Sequence, residues 1–243
     1  MNRSLRRALV PLCASLVAAT LGAQSVDAIL SRHLQAMGGA DKLHAIHALR
    51  LKGTLQTAQG LVLPLTIEEA RPGKSRFEAR AEGVIYLRIF DGTKGWISDP
   101  STNGILRPFT AAELQAESRG TFDGELVDLQ ARGARAELAG RLMWAGRDTY
   151  QVKVTEKDGA TSLHWVDAEM FLEFQRERDV DTPEGRRTEV LRFSDFRVVE
   201  GVPMAFRVQM GQKFSHSAQI IQLSEAQVNP AIPDSDFEAP AAR

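Results

Sequence analysis

Residues 69–100, EARPGKSRFEARAEGVIYLRIFDGTKGWISDP, decide the fold. An Arg71-Pro72-Gly73 turn opens the stretch. Phe77, Ala79 and Ala81 then alternate with Arg76, Glu78, Arg80 and Glu82, the pattern of a strand with one apolar and one wet face. Val84 to Phe90 is apolar on both faces, so cover is expected on both sides. Asp91-Gly92 turns the chain into a further strand bearing Trp96. Together these strands predict a curved antiparallel sheet with more apolar surface than one core needs. That points to a greasy binding cavity.

The same period runs outward in both directions. Upstream, Leu49, Leu51 and Leu55 alternate with polar residues, and Leu61, Leu63, Leu65 and Ile67 face one way. Pro64 inside that run predicts an edge strand or a bulge, because proline cannot donate to a ladder. Downstream, Tyr150, Val152 and Val154 alternate, and Asp158-Gly159 marks a hairpin. Leu163, Trp165, Met170, Leu172 and Phe174 follow, then Val190 to Phe196. Val202, Met204, Phe206, Val208 and Met210 form another alternating run, and a last strand covers about Phe214 to Leu223. The count is ten or eleven strands at hairpin spacing.

Two helices precede this pattern and two more interrupt it. Ile29, Leu30, His33, Leu34 and Met37 recur three and four apart behind Ser25 or Asp27 as caps, with Gly38-Gly39 as the stop. A second short helix is expected from Ala40 to about His47. Thr110-Ala-Ala-Glu113 is a capping box that starts a helix running to about Arg119. Phe122 to Ala131 reads as one more helix. Helices placed between strands in this way suit a lid.

Arg3, Arg6 and Arg7, the apolar run Ala8 to Leu21, and Leu21-Gly22-Ala23 have the layout of a secretory signal peptide. The run is about 14 residues, short of the ~20 needed to span a membrane. The expected organisation is a signal peptide over 1–23 and a single domain over 24–243, exported to the periplasm. Cys13 is the only cysteine of the 243 residues and falls within the signal, so the mature chain lacks disulfides and thiolate chemistry. With 30 basic and 31 acidic side chains, nothing argues for a nucleic-acid partner.

No nucleophile elbow, phosphate-binding loop or dinucleotide fingerprint is present. His44 and His47, three apart, lack a third ligand in motif spacing, so no metal is expected. His33, His164 and His216 stand isolated. Most acidic residues fall on the wet faces of alternating strands and read as solvating charges. The expectation is therefore no catalytic residue, no cofactor and no enzyme. Cavity lining is assigned to Leu63, Leu65, Ile67, Phe77, Ile85, Leu87, Ile89, Trp96, Trp165, Met204 and Phe206. Trp144 is weighed with the other two tryptophans as core or cavity.

A cleaved signal, two N-terminal helical turns, Arg71-Pro72, Asp91-Gly92 with Trp96, Asp99-Pro100 and the closing segment Asn229 to Pro240 together resemble the LolA family. These are periplasmic carriers of outer-membrane lipoproteins. The chain resembles the broader group of outer membrane lipoprotein-sorting proteins more than LolA itself, because its second half is more elaborate. The resemblance implies an unclosed antiparallel β-barrel, mainly β, with a few helices covering its concave apolar face. It implies a monomeric carrier of lipoprotein acyl chains or other lipids that meets inner- and outer-membrane sorting components. By the same carry-over Arg71 latches the lid, its forked donors suiting backbone carbonyls. The alternative expectation is a cell-envelope interaction or sensor module built on the same fold.

Overall fold

The computed structural model describes residues 25–239 apart from positions 82, 119, 121, 183 and 184. The signal-peptide reading of residues 1–23, Cys13 included, lies outside the described residues. Two helices come first, α1 (Val26–Ala36) and α2 (Ala40–His44). The strands β1 (Ala48–Gln56), β2 (Val62–Ala70), β3 (Lys74–Ala81), β4 (Val84–Phe90), β5 (Gly95–Ser98) and β6 (Arg107–Pro108) follow. Then α3 (Ala111–Ser118) and α4 (Leu129–Arg132) intervene. The chain finishes with β7 (Arg135–Trp144), β8 (Arg147–Thr155), β9 (Thr161–Asp167), β10 (Glu173–Thr182), β11 (Gly185–Val199), β12 (Val202–Gln212) and β13 (Ala218–Val228).

All thirteen strands belong to one antiparallel sheet, in the order β6-β5-β4-β3-β2-β1-β13-β12-β11-β10-β9-β8-β7. The first and last strands meet in its interior, with Leu49 opposite Val228 and Gln56 opposite Ile220. The sheet stays open as a barrel: β6 and β7, neighbours in sequence, are its two edges. At the β1–β13 seam a bulge at Lys52/Gly53 bends the ladder. A Cβ on Gly53 would lie 2.1 Å from the Gln222 carbonyl oxygen, so only glycine allows the strands this close.

Several expectations are refined. Thirteen strands exceed ten or eleven because two-residue β6 and the largely exposed β7 carry no clean apolar period. The strand holding Pro64 is interior and without a bulge. β2 pairs with β1 along its whole length but with β3 only from Leu65 onward, so Pro64 stands beyond the last β3 pairing and removes no bond from that ladder. The helix expected over Phe122–Ala131 shrinks to α4. Gly124 and Asp128 both take positive φ, 96° and 51°, and Leu126 and Val127 turn into different clusters of the core. The helix expected to reach His47 ends at His44, because Asn229 captures the His47 and Ala48 amides and its own side-chain amide donates to the Ala45 carbonyl. Ser25 caps α1, and the Thr110–Glu113 box closes reciprocally at 3.2 and 2.7 Å.

Strand register sorts side chains onto two faces. The inner face, which the helices cover, carries Leu51, Leu55, Leu63, Leu65, Ile67, Phe77 and Ala79 from the first half of the sheet. From the second half it carries Tyr150, Val152, Val154 and Val166, packed under Ile29 of α1 and Leu126 and Leu129. Leu43 and Ile46 pack with Leu49, Val127 and Val202 between these two clusters.

Candidate functional site

An apolar cavity of about 250 Å³ lies on the inner face between the cluster of Leu51, Met204 and Leu223 and that of Leu43, Ile46 and Leu49. Met37, Leu43 and Ile46 form its helical roof, while Leu49, Leu51, Phe193, Met204 and Leu223 supply the sheet wall. The chain segment after α3 closes it with Phe122, Asp123, Gly124 and Glu125. One end is polar, made of His33, Glu125, Glu173 and Arg176.

Residues 109–134, which connect the two edges of the sheet, form a strap across the inner face. None of the residues of α3 is buried, so apolar packing does not hold that helix down. Ion pairs do. Glu117 of α3 receives Arg88 of β4 at 2.7 Å and the Ser75 hydroxyl at 2.9 Å. Asp123 takes both of its oxygens to Arg71, at 2.6 and 2.7 Å. Glu125 meets Arg176 of β10 at 2.7 Å. Each acid thus belongs to the strap and each arginine to the sheet side. Two of the arginines also lie over strap aromatics, Arg88 at 4.3 Å from the Phe109 ring centre and Arg71 at 4.5 Å from that of Phe122.

Arg71 reaches a second element as well. Its Nε donates to the Ile46 carbonyl at 2.8 Å and one Nη to the Leu43 carbonyl at 3.2 Å, beyond and within the last turn of α2. One planar guanidinium therefore joins the β2–β3 turn, the end of α2 and the strap, a geometry that the single ammonium of lysine cannot reproduce. Phe109 anchors the start of the strap. Its amide donates to the Gly95 carbonyl at 2.8 Å, and its ring covers Gly95 so closely that a Cβ there would lie 1.9 Å from it.

The polar end is a buried network. His164, fully enclosed, bonds Glu173 through Nδ1 at 2.6 Å and the Ser162 hydroxyl through Nε2 at 2.7 Å. Arg176 binds both oxygens of Glu173, at 3.0 and 2.7 Å. Burial opposes the charge on Glu173, but Arg176 and His164 outweigh it and hold the carboxyl well below its usual range. Ser162, His164 and Glu173 stand in the order of a nucleophile–base–acid relay. The cavity, however, is lined by Glu173 and Arg176 and by neither Ser162 nor His164. The network ties strap to sheet through Glu125.

Glu69 adds an inward carboxyl at the other end of the strap. It follows Leu63, Leu65 and Ile67 on the inner side of β2, and burial, reinforced by the nearby Glu117 charge, pushes its pKa up to about 7. Near α2, His44 bonds Asp128 at 3.0 Å, and Asp123 brings an oxygen within 4.8 Å of their ligand atoms. Arg71 already occupies both oxygens of that Asp123.

The residues assigned to the cavity from sequence divide between the faces. Met204 lines the cavity itself. Leu63, Leu65, Ile67, Phe77 and Phe206 lie in the inner-face cluster that continues from it. Ile85, Leu87 and Ile89 oppose Arg80, Glu78 and Arg76 of β3 and so share the outer face with them; Trp96, opposite Ile89, joins them. Trp165 pairs across from Gln151 and Gln175 on the outer face and packs against Trp144 at 5.6 Å between ring centres. The double cover expected over β4 is present, for Leu87, Ile89 and Phe90 are all buried. Glu69 and Glu173, acids of the kind read from sequence as solvating, face inward instead, as does Arg176. Glu117, Asp123, Glu125 and Arg88 carried no sequence signal beyond their charge, whereas His33 was marked by its place in the apolar stripe of α1.

No family model matches the chain, and no curated protein matches it. Solved structures do. A DUF1329 family protein from Desulfovibrio piger superposes with a TM-score of 0.56 at 16% identity, over 88% of this chain and 98% of that one. A LolA superfamily protein from Nitrosomonas europaea gives 0.55 at 15% identity, over 88% and 98%. An outer membrane lipoprotein-sorting protein domain from Vibrio parahaemolyticus gives 0.53 at 12% identity, over 86% and 94%. The fold is LolA-like.

Proposed function

From a LolA-like fold wrapped round a strapped apolar cavity, we propose that the protein is an exported carrier that shelters acyl chains of lipoproteins or other lipids. The observation that carries this reading is the strap: α3 and residues 122–125 are fastened over an apolar cavity by ion pairs, while Leu126, Val127 and Leu129 anchor the far end of the segment in the core. Ion pairs exchange for water at little net cost, whereas buried apolar area does not. The ion-paired part of the closure is therefore built to open, with the buried Leu126, Val127 and Leu129 as its fixed end. An acyl chain of about 14 carbons gains on the order of 10 kcal/mol when its methylenes leave water, enough to hold a lipid in transit. The closed cavity, at about 250 Å³, falls below the ~300–1,000 Å³ of typical ligand sites. A whole chain then needs the strap raised so that it also lies along Leu51, Leu65 and Phe77.

On this reading the protein works as a monomer in the periplasm, after removal of residues 1–23, and meets sorting components of both membranes. Arg71 is the latch. The test is organic extraction and mass spectrometry of the purified protein, together with uptake of a fluorescent acyl amide. Co-purifying lipid and saturable uptake support the carrier; neither would sink it. Arg71→Leu is expected to speed release of the bound probe about tenfold or more, since a part-buried charged fork contributes roughly 1.5–3 kcal/mol. Unchanged release would reduce Arg71 to a turn residue.

A further inference from the structure

The polar end of the cavity is rich in acceptors. His33 of α1 is 4% exposed and lines the cavity. Its Nδ1 lies 2.8 Å from the Phe171 carbonyl oxygen, which can only accept. The Nδ1 atom must therefore carry a proton. Burial lowers the pKa of the ring below its ordinary 6.5, with His164 and Arg176 acting the same way against Phe171 and Glu173. The imidazole is accordingly neutral near pH 7, with its one proton on Nδ1 and a bare lone pair on Nε2. That nitrogen has no hydrogen-bond partner among the described residues. Beside it the cavity shows two carboxylates, Glu125 and Glu173, and one guanidinium, Arg176, which binds both of them. Arg176 thus turns all three of its nitrogens onto the acids of this end, while an acceptor is left over.

We propose that the cavity selects amphiphiles whose polar end donates a hydrogen bond, an amide N–H or a hydroxyl, to His33 Nε2, and discriminates against free carboxylates. This rests on the carrier reading and narrows it to a class of cargo: acyl chains held in amide linkage or alkyl chains ending in alcohol, in place of fatty-acid anions. An ionised head would meet two carboxylates and a lone pair, with the one guanidinium already paired to both acids. A neutral donor would complete the one unpaired group. Buried acceptors without partners are the features that give such sites their sharpest discrimination.

The experiment compares probes that share one alkyl chain and differ only at the head. Dodecanol, N-methyldodecanamide and dodecanoate compete with the fluorescent acyl amide on the full chain at about pH 8, where the acid is ionised. The alcohol and the amide are expected to bind about tenfold tighter than the carboxylate. His33→Phe, which keeps a flat ring and removes the acceptor, is expected to shrink that preference to roughly threefold or less while dodecanol still binds. As a readout that needs no variant, the Nε2 resonance of 15N-labelled His33 is expected to shift on binding dodecanol as it accepts a hydrogen bond. Equal or tighter binding of dodecanoate, or an Nε2 signal unmoved by a bound alcohol, overturns the proposal and leaves the carrier standing. Failure of every head group to bind overturns both.

Discussion

Arg88 of β4 and Glu117 of α3 meet at 2.7 Å through two guanidinium nitrogens on one carboxylate oxygen, while the other oxygen takes the Ser75 hydroxyl. This contact is one of two arginine ties, with Arg107–Glu113, of a helix that buries none of its residues. Both partners keep some exposure, 31% and 21% of their side chains, so the pair is worth about 1 kcal/mol. Replacing Arg88 with Gln is expected to leave the melting temperature within a few degrees and to raise amide exchange across residues 111–118 about fivefold. Unchanged exchange there would show that α3 is held by something else.

Gly95 predicts a sharper outcome. The Phe109 ring occupies the place where a side chain at position 95 would begin, 1.9 Å from a built Cβ. Gly95→Ala should evict the ring and with it the stack on Arg88, at a cost of roughly 1–3 kcal/mol. The expected sign is weaker attachment of the strap, measured as faster probe release with β4 and β5 still protected from exchange. A variant with normal release would mean that the ring shifts without loosening the segment.

Glu69 gives the strap a pH response whose sign follows from linkage. Its folded pKa of about 7 exceeds the ordinary 4.5, so the folded form holds an extra proton between those values. The associated stabilisation is complete below about 4.5 and is lost as pH rises through about 7. Above that point the ionised Glu69 faces the Glu117 charge that holds α3. Probe release is expected to accelerate between about pH 6 and 8, and Glu69→Gln to abolish that rise. A profile identical in the variant would refute the assignment.

His33 acts in the opposite sense. Its folded pKa is depressed, so below the ordinary 6.5 the unfolded chain takes up a proton that the folded one refuses. Stability should fall as pH drops beneath about 6.5, by up to one proton's worth of slope, and stay flat above it on this account. Denaturant midpoints of the wild type and His33→Phe across that range measure it. Equal slopes in the two proteins would place the titration elsewhere.

The parts of the fold legible in the sequence are those governed by local rules. Ser25, the Thr110–Glu113 box and the alternating runs of β2, β3 and β8 act within a few residues and mark their elements directly. Facing is a different matter. Period two says that Leu63 and Leu65 share a side, but β4 is apolar at every position except Arg88, so one charge is all that parity offered to tell Ile85, Leu87 and Ile89 from Val84 and Tyr86. Pairing with Arg76, Glu78 and Arg80 decides it. The polar end was hidden for a related reason. A charge alternating with apolar residues reads as solvent-facing, yet an open barrel turns both halves of the sheet inward, and Glu173 and Arg176 find each other and Glu125 only after folding. Arg71 was found through resemblance; its acid partner, Asp123, lies 52 residues on and has no motif of its own.

The order of strands gives the strap a mechanical meaning. The chain makes a bracelet: its first and last strands are stitched together opposite the gap, and residues 109–134 are the clasp across the gap itself. Cutting the clasp would leave two half-sheets, β1–β6 and β7–β13, still joined by the β1–β13 ladder. Splaying the edges puts that same segment under tension. Cargo that wedges the sheet apart therefore strains its own fastening, and the width of the gap and the grip of the clasp are one degree of freedom.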